Sequence, residues 1–118
     1  MLYFGGSWCP PCLEELPRWK RIAQVCSDNG IQTKSIAVQY KETEEEAIKY
    51  LQQNVFPGEH IVEGMTNSEV ALHELLQISS FPTYIFIDTT GEIRLRVENR
   101  VARETKLPTF LSAYIYKK

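Results

Sequence analysis

The sequence predicts an α/β sandwich, in which a mixed β-sheet is covered by helices. Residues 1–4 and 35–38 are short apolar runs of the kind that form buried strands, and a helix is predicted between them. The stretch 83–97 is rich in aromatic and β-branched residues and is interrupted by a Thr-Gly turn, which predicts a hairpin. Because strand-helix-strand crossovers are right-handed, the first two strands are expected to lie parallel at the sheet centre. The hairpin then supplies an antiparallel edge.

The helix predicted over 10–29 begins with two prolines and contains a third. Pro10 and Pro11 suit its first turn, where a backbone amide would have no helical partner. Pro17 falls inside the helix and is expected to kink it. One face carries apolar residues at three- and four-residue spacing, so this face is predicted to be buried: Leu13, Leu16, Trp19, Ile22, Ala23 and Cys26.

The middle of the chain predicts two further helices and one strand. Thr43 followed by Glu46 is a capping-box pattern, which predicts a helix that continues to about Gln53. Residues 60–63 predict a short strand, and Ser68 is a candidate cap for a helix after it. The apolar residues of these two helices are Ala47, Ile48, Leu51, Val70, Leu72, Leu75 and Leu76.

The C-terminal part predicts an edge strand and a final helix. Alternation in the second hairpin strand places Ile93, Leu95 and Val97 inward and the charged residues between them outward, where they protect the edge. The last helix is expected to start near Pro108. Four arginines in this part form either a docking patch or a solvated edge, and the solvated edge is favoured: Arg94, Arg96, Arg100 and Arg103.

Length and composition restrict the class of protein. The chain has 118 residues, which fits a single domain over 1–118. Its 43% hydrophobic and 24% charged residues exclude a disordered class, and no apolar run approaches the roughly 18 residues of a membrane span. The net charge of −2, with scattered Lys and Arg, gives no basic footprint for nucleic acid. Three cysteines are too few for a scaffold stapled by several disulfides.

The segment Trp8-Cys9-Pro10-Pro11-Cys12 lies between the end of the first strand and the start of the first helix. Unpaired amide hydrogens and the dipole at a helix N-terminus stabilise a thiolate on the first cysteine, and they lower the pKa of such a thiol from about 8.5 to between about 3.5 and 7.5. The second cysteine is one helical turn further on and can attack a mixed disulfide formed by the first. The segment therefore predicts thiol–disulfide chemistry.

Half of a zinc site is the alternative interpretation of this cysteine pair. A structural zinc ion takes four Cys or His ligands at recognisable spacing, and the chain offers only Cys26, His60 and His73 in addition. Cys26 falls on the buried helix face, where an inert thiol is expected, and both histidines are expected at the surface. Redox chemistry is therefore favoured, with no metal and no organic cofactor, since the cysteine pair carries the electrons.

Together with Phe81-Pro82-Thr83, the cysteine motif resembles the thioredoxin superfamily. With Glu15 and Pro17 it is most similar to the TlpA/ResA-type thiol-disulfide oxidoreductases of the bacterial cell envelope. Residues 85–93 are similar to the strand-turn-strand that follows the cis-proline in that family, and the resemblance extends over 2–97. It implies a thioredoxin-like three-layer sandwich with a central mixed sheet flanked by helices. The first strand and helix of the full fold have no counterpart in this chain.

The resemblance implies a role for each residue of the motif. Cys9 would be the exposed nucleophile and Cys12 the buried resolving thiol, and the two would form the redox disulfide. Pro82 would be a cis-proline that faces them, although taken alone it would read as an ordinary trans-proline at a strand start. Trp8 would shape the substrate groove, with a core tryptophan as the alternative. The implied substrate-binding residues are Trp8, Pro10, Pro11, Phe81, Pro82 and Thr83.

Glu15 is the third candidate catalytic residue. It lies one helical turn after Cys12, and a glutamate at this position in the resembling group adjoins the site and tunes cysteine protonation. It could relay the proton of the resolving thiol, or it could be a solvated glutamate like Glu14. Thioredoxins carry a buried Asp where this chain has Tyr3. Since a phenol titrates near 10, Tyr3 is expected to be a poor base.

The sequence therefore predicts a thiol-disulfide oxidoreductase, acting as a reductant on protein disulfides and reset by an upstream redox partner. We expect a monomer of the bacterial envelope or periplasm, cut from a longer precursor. One alternative is a cytosolic reductase similar to tryparedoxin and nucleoredoxin, which also pair a Tyr-Phe strand with this motif. The other is a redox-inactive binding module in which the cysteines are only a staple.

Overall fold

The computed structural model describes residues 1–38, 43–53, 58–62 and 72–116. Five strands and four helices follow one another in these ranges. They are β1 (Leu2–Gly5), α1 (Pro10–Asp28), β2 (Lys34–Ala37), α2 (Glu44–Gln53), β3 (Glu59–Val62), α3 (Leu72–Leu75), β4 (Thr83–Ile87), β5 (Ile93–Val97) and α4 (Arg100–Tyr116).

The five strands form one mixed sheet in the order β3-β2-β1-β4-β5. The pairs β1–β2 and β2–β3 are parallel, whereas β4 is antiparallel to both β1 and β5. The predictions of parallel first strands and of an antiparallel hairpin edge are confirmed. Because β4 pairs with β1, Thr83 lies opposite Phe4, so the start of β4 and the end of β1 meet at the same edge.

Alternation along the strands divides the core between the two faces of the sheet. One face buries Tyr3, Ala37, Tyr84, Phe86 and Val97 against α1, α2 and α4. The opposite face buries a smaller cluster with residues from the segment after α3 and from the two loops near β1 and β4: Phe4, Ile36, Val38, Ile78 and Ile85, with Leu76, Trp8 and Phe81 packed against them. This is the expected sheet between two covering layers.

Three aromatic rings fix α1 on the centre of the sheet. Trp19 stacks on Tyr3 with ring centroids 5.0 Å apart, and Tyr84 meets both rings edge-on at 5.1 and 5.8 Å. All three side chains are almost completely buried, and the Trp19 indole donates a hydrogen bond of 2.8 Å to the Ser35 hydroxyl. Helix α1 continues through Pro17, and Cys26 near its end is buried, as predicted.

Helix α2 confirms the capping-box prediction. Thr43 Oγ1 accepts a hydrogen bond of 3.1 Å from the Glu46 amide, and Ala47 is buried. Ile48 is half-buried, and Tyr50 joins the core as well. The predictions for the Leu51 side chain and for residues 63–71, which include Ser68 and Val70, lie outside the described residues.

The last helix begins eight residues earlier than predicted. Asn99 caps it: its side chain accepts a hydrogen bond of 2.8 Å from the Ala102 amide, and its carbonyl oxygen accepts one of 2.9 Å from the Arg103 amide. Pro108, taken as the start, lies inside α4. Because the helix starts at Arg100, Arg103 falls on the same buried stripe as Leu107 and is only 8% exposed, so its assignment to a solvated edge was wrong.

The hairpin edge also differs from the predicted alternation of inward and outward side chains. The register between β4 and β5 shifts at 86–87, and Ile93 is 46% exposed instead of inward. Arg96 does not point freely to solvent, since its guanidinium donates to the carbonyl oxygens of Leu76 and Gln77 at 2.6 and 2.7 Å. Arg94 is exposed and pairs with Asp88.

The two histidines that were predicted at the surface are half-buried instead. They are His60 and His73.

Replacing the cap of α4 should destabilise the fold measurably. We expect Asn99→Ala to lower the free energy of unfolding by about 1 kcal/mol, because the first-turn amide of Ala102 loses its acceptor. Asn99→Asp keeps an acceptor at the same position and should stay close to the wild type. Urea unfolding followed by circular dichroism measures both. Equal unfolding midpoints for the two variants would contradict this description of the helix start.

Candidate active site

The cysteine pair lies in the turn that leads from β1 into α1. Cys9 is the N-cap residue of α1, with φ −112° and ψ 101°, and its Sγ accepts a hydrogen bond of 3.3 Å from the Cys12 amide. The two cysteines are joined by a disulfide, with their Cα atoms 5.2 Å apart. One amide hydrogen of the helix N-terminus, that of Cys12, therefore points at the Cys9 sulfur, an arrangement that stabilises a thiolate there once the bond is reduced.

Both cysteines are buried in the oxidised protein. Cys12 is fully enclosed, and Cys9 keeps only 4% of its surface, so the expectation of an exposed nucleophile is wrong for this state. The cause is the loop across from it, since the carbonyl oxygen of Phe81 lies 3.6 Å from the Cys9 sulfur. Cys9 is still the more accessible of the two.

The loop before β4 forms the wall that faces the disulfide. The peptide bond between Phe81 and Pro82 is cis, as predicted. Thr83 anchors the end of the loop, because its hydroxyl donates a hydrogen bond of 2.6 Å to the Ser80 carbonyl oxygen. Pro82 and Thr83 are buried, whereas the Phe81 ring is half-exposed. The loop thus presents backbone and one aromatic ring to the site.

Trp8 closes the side of the site next to this loop. Its ring meets Phe81 edge-on at 5.3 Å, and its indole donates a hydrogen bond of 2.7 Å to the Val38 carbonyl oxygen. A side chain at Gly6 would collide with the indole, so this ring position requires glycine there. His73 contacts Phe81 from another side, with ring centroids 5.9 Å apart. Trp8 is half-buried and packs against the core cluster on this face of the sheet as well as against Phe81.

The outer rim of the site is apolar. Pro10 and Pro11 are both exposed, and Leu13, which was predicted to be buried, is 44% exposed. Leu13 directly follows the enclosed Cys12 in the first turn of α1 and is not among the buried residues of that helix. The rim thus offers apolar surface without a charge of its own.

Glu15 is a buried carboxylate, which excludes the solvated alternative. It is 7% exposed and lies 3.3 Å from Arg103 Nε and 3.5 Å from Arg18 Nη1. It also accepts a hydrogen bond of 3.5 Å from the Tyr84 hydroxyl. Burial raises the pKa of Glu15 above its ordinary value of 4.5, although Arg18, Arg103 and the Tyr84 hydroxyl oppose this rise.

Tyr3 lies directly beneath the pair. Its hydroxyl donates a hydrogen bond of 3.1 Å to the Cys12 carbonyl oxygen. Burial raises the pKa of Tyr3 well above 10, so the phenol stays protonated at neutral pH. The expectation that Tyr3 is a poor base is therefore confirmed. Tyr3 instead supports the first turn of α1 as a hydrogen-bond donor.

Arg103 is the site residue that sequence reasoning missed. Its Nη1 lies 3.5 Å from the Pro82 carbonyl oxygen, and its Nε faces Glu15. A signal was present, because Arg103 stands at four-residue spacing from Leu107 and Leu111. Placing the helix start at Pro108 hid that stripe.

Neither a metal centre nor a membrane-crossing helix occurs in the described residues. No group of three His, Cys, Asp or Glu side chains in them could hold a metal ion, and no helix in them is long and apolar enough to cross a bilayer. Cys26 is a free cysteine, and burial raises the pKa of its thiol above the ordinary value. A buried, protonated thiol is a poor nucleophile, so Cys26 stands apart from the pair.

The chain is similar to a known protein family and to several solved structures. A family described as thioredoxin-like matches residues 1–93. Among solved structures, one named as DsbE, a thiol:disulfide interchange protein of Chlorobium tepidum, superimposes with a TM-score of 0.76 at 23% identity, covering 97% of this chain and 77% of that chain. The exposed lipoprotein thioredoxin of Streptococcus pneumoniae gives 0.68 at 22% identity, with 92% and 79% covered. StoA of Bacillus subtilis gives 0.67 at 21% identity, with the same coverage. A search of the curated proteins finds no match.

The raised pKa of Glu15 gives a stability prediction with a definite sign. Since the carboxyl binds its proton more tightly in the folded state, its contribution to stability is fully present below pH 4.5 and is lost as pH rises through the raised folded pKa. We expect the free energy of unfolding of Glu15→Gln to increase relative to that of the wild type between pH 4 and pH 7.

Urea unfolding at these two pH values measures the difference. Glu14→Gln is the matched control, since Glu14 is the exposed neighbour on the same helix. A difference for Glu15→Gln that moves the other way, or that only equals the control, would show that the carboxyl is not desolvated.

Proposed function

Because the chain belongs to the thioredoxin-like family, we propose that it exchanges disulfides with protein substrates through Cys9 and Cys12. The observation that carries the proposal is the bonded pair at the N-terminus of α1, with the Cys9 sulfur 3.6 Å from the carbonyl oxygen that precedes cis-Pro82. This arrangement combines a nucleophile, a second thiol within reach of it and the adjacent backbone of the cis-proline loop.

In the proposed reaction the reduced protein starts with Cys9 as a thiolate. The thiolate attacks one sulfur of a substrate disulfide, so that a Cys9–substrate bond forms and the other substrate sulfur leaves and takes up a proton. Cys12 then loses its proton and attacks the Cys9 sulfur, which releases the second substrate thiol. The substrate gains two electrons from the cysteine pair and two protons, one from Cys12 and one from water, and the Cys9–Cys12 disulfide remains. A separate redox partner must reduce that bond again.

The proposed substrate groove lies between the cis-proline loop and the rim of α1. An extended substrate would hydrogen-bond to the backbone of Phe81, and Pro82, which lacks an amide hydrogen, leaves the side nearest the sulfurs open. Thr83 would hold the loop in shape from beneath through its bond to Ser80. The apolar side chains in contact with the substrate would be Trp8, Pro10 and Pro11.

Glu15 is the proposed acceptor for the proton of Cys12. It lies one helical turn beyond Cys12, and burial moves the pKa of its carboxyl upward, toward the range of a thiol. Tyr3 is unsuited to this task because its phenol stays protonated. Since the described contacts of Glu15 are with Arg18, Arg103 and Tyr84, its proton transfer to or from Cys12 would pass through water.

We further propose that the protein is a reductant of the bacterial cell envelope. Support comes from the relatives, one of which is an exposed lipoprotein and another a secreted disulfide oxidoreductase of Mycobacterium tuberculosis. The reaction needs no metal or organic cofactor, and the protein would act as a monomer with two classes of partner, its substrates and the protein that reduces it. A cytosolic reductase similar to tryparedoxin is the alternative location for the same chemistry.

The burial of both sulfurs favours one second candidate function. With Cys9 only 4% exposed, the disulfide could serve as a staple in a redox-inactive binding module. Reduction of insulin by a dithiol-regenerated protein separates the two functions, because a staple does not turn over.

Replacing the resolving thiol should trap substrates. We expect Cys12→Ser to accumulate mixed disulfides with proteins of a bacterial extract, because Cys9 can still attack while nothing releases the product. Cys9→Ser should trap none. Nonreducing electrophoresis and mass spectrometry identify the adducts, and Cys26→Ala, a change at the buried third thiol, should leave trapping unchanged. Equal trapping by Cys9→Ser and Cys12→Ser would contradict the assignment of Cys9 as the nucleophile.

The reduction potential tests the direction of electron flow. We expect a value below about −230 mV for the Cys9–Cys12 couple, as for a reductant with a dedicated electron supply. Alkylation of free thiols after equilibration in graded dithiol buffers measures it. A value near about −120 mV would instead identify an oxidant that inserts disulfides. A disulfide that stays oxidised in every buffer would support the alternative function, a redox-inactive binding module with a structural disulfide.

A further inference from the structure

A buried arginine connects the two segments that flank the cysteine pair. Arg103 of α4 is 8% exposed, and its Nη1 lies 3.5 Å from the carbonyl oxygen of Pro82 in the cis-proline loop. Its Nε lies 3.3 Å from Oε2 of Glu15 on the active-site helix. One guanidinium thus contacts both the cis-proline loop and the carboxylate one turn beyond Cys12. In that loop, the carbonyl oxygen of Phe81 faces the Cys9 sulfur.

Stability alone gives a weak reason for this pair. Removing two charges from water costs free energy that their mutual attraction often fails to offset, and well-packed apolar residues of similar volume can stabilise a fold equally well. The geometry is also incomplete, because Arg103 Nε makes no hydrogen bond within the part of the chain that the structure describes. A buried cation held in this way between the cis-proline loop and the carboxylate one turn beyond Cys12 points toward the chemistry of the site.

Resting on the disulfide exchange proposed above, we propose that Arg103 is a positioning residue for that reaction. It holds the Pro82 carbonyl, and with it the substrate-binding loop, at a fixed distance from α1, and it balances the charge of Glu15 beside the cysteine pair. A planar guanidinium suits this task because it faces two groups at once, the Pro82 carbonyl oxygen through a hydrogen bond and Glu15 through its charge, which the single ammonium of lysine does not do equally well.

The charged groups around Glu15 determine what the removal of Arg103 would do. Glu15 is also faced by Arg18 at 3.5 Å and by the Tyr84 hydroxyl, and Glu104 and Tyr3 interact with it electrostatically. Loss of Arg103 therefore leaves Arg18, which is partly exposed, as the cation facing Glu15 among the described residues. The site becomes more negative, and a thiolate at Cys9 becomes less favourable.

Two substitutions separate the geometric part of the role from the electrostatic part. Arg103→Met removes the charge and the hydrogen bond to the Pro82 carbonyl oxygen, whereas Arg103→Lys keeps the charge and loses the planar guanidinium that reaches both Pro82 and Glu15. We expect both to lower kcat/KM for insulin reduction on the order of tenfold, because the loop is no longer fixed. Only Arg103→Met should raise the pH midpoint of Cys9 alkylation in the reduced protein. Adding Glu15→Gln to Arg103→Met should bring that midpoint back toward the wild type.

Arg100→Met is the matched control. Arg100 lies on the same helix with 80% of its side chain exposed and pairs with Glu104 at the surface. Its replacement therefore removes the same charge without changing the contacts of Arg103 with Glu15 and Pro82. We expect its kcat/KM and its alkylation midpoint to equal those of the wild type. Thermal unfolding of each variant shows whether it is folded under the assay conditions.

The outcomes distinguish this inference from the function on which it rests. If folded Arg103→Met and Arg103→Lys match Arg100→Met in both measurements, Arg103 is only structural and the inference is overturned. If Arg103→Met does not fold, the kcat/KM of Arg103→Lys decides alone, since that variant keeps the buried charge. If the wild type reduces no insulin and Cys12→Ser traps no protein, the disulfide exchange itself has failed and the inference falls with it.

Discussion

The packing of α1 against the central strands through three aromatic rings is the contact on which the site depends. Tyr3, Trp19 and Tyr84 bury large apolar surfaces, and each also has a polar end with a partner. The Tyr3 hydroxyl holds the carbonyl of Cys12, and the Tyr84 hydroxyl holds Glu15. The rings therefore fix the rotation and the height of the helix as well as its attachment, which determines where its N-terminal amides point.

Strand order brings the remaining parts of the site together. Because β1 and β4 are antiparallel neighbours, the turn after β1 and the loop before β4 lie at the same edge of the sheet, although more than seventy residues separate Cys9 from Phe81. Helix α4 then packs on the face that also carries α1, and this places Arg103 between Glu15 and Pro82. Each reactive or binding group is thus supported by a segment distant in sequence.

Local patterns in the sequence predicted most of the fold and the chemical centre of the site. The capping box at Thr43, the apolar face of α1 and the cysteine motif before it each depend on neighbouring residues, so their structure follows from local rules. The contacts of Arg96 and Arg103 do not, because an arginine becomes buried only when a distant acceptor is placed beside it. The exposure of Ile93 has a similar origin, since it depends on a register shift between strands.

The burial of the disulfide limits how a substrate can be recognised. The accessible part of Cys9 is small, the carbonyl oxygen of Phe81 in the cis-proline loop lies 3.6 Å from its sulfur, and the exposed side chains of Pro10, Pro11 and Leu13, which form the rim at the start of α1, carry no charge. Under the proposed function, a partner would reach the sulfur with an extended, exposed cysteine segment, through backbone hydrogen bonds and apolar contact. Such contacts depend on shape more than on side-chain identity. Under the proposed function, selectivity among substrates would then come from residues outside this rim, whereas the helix terminus and the buried charges of Glu15 and Arg103 would act on the chemistry.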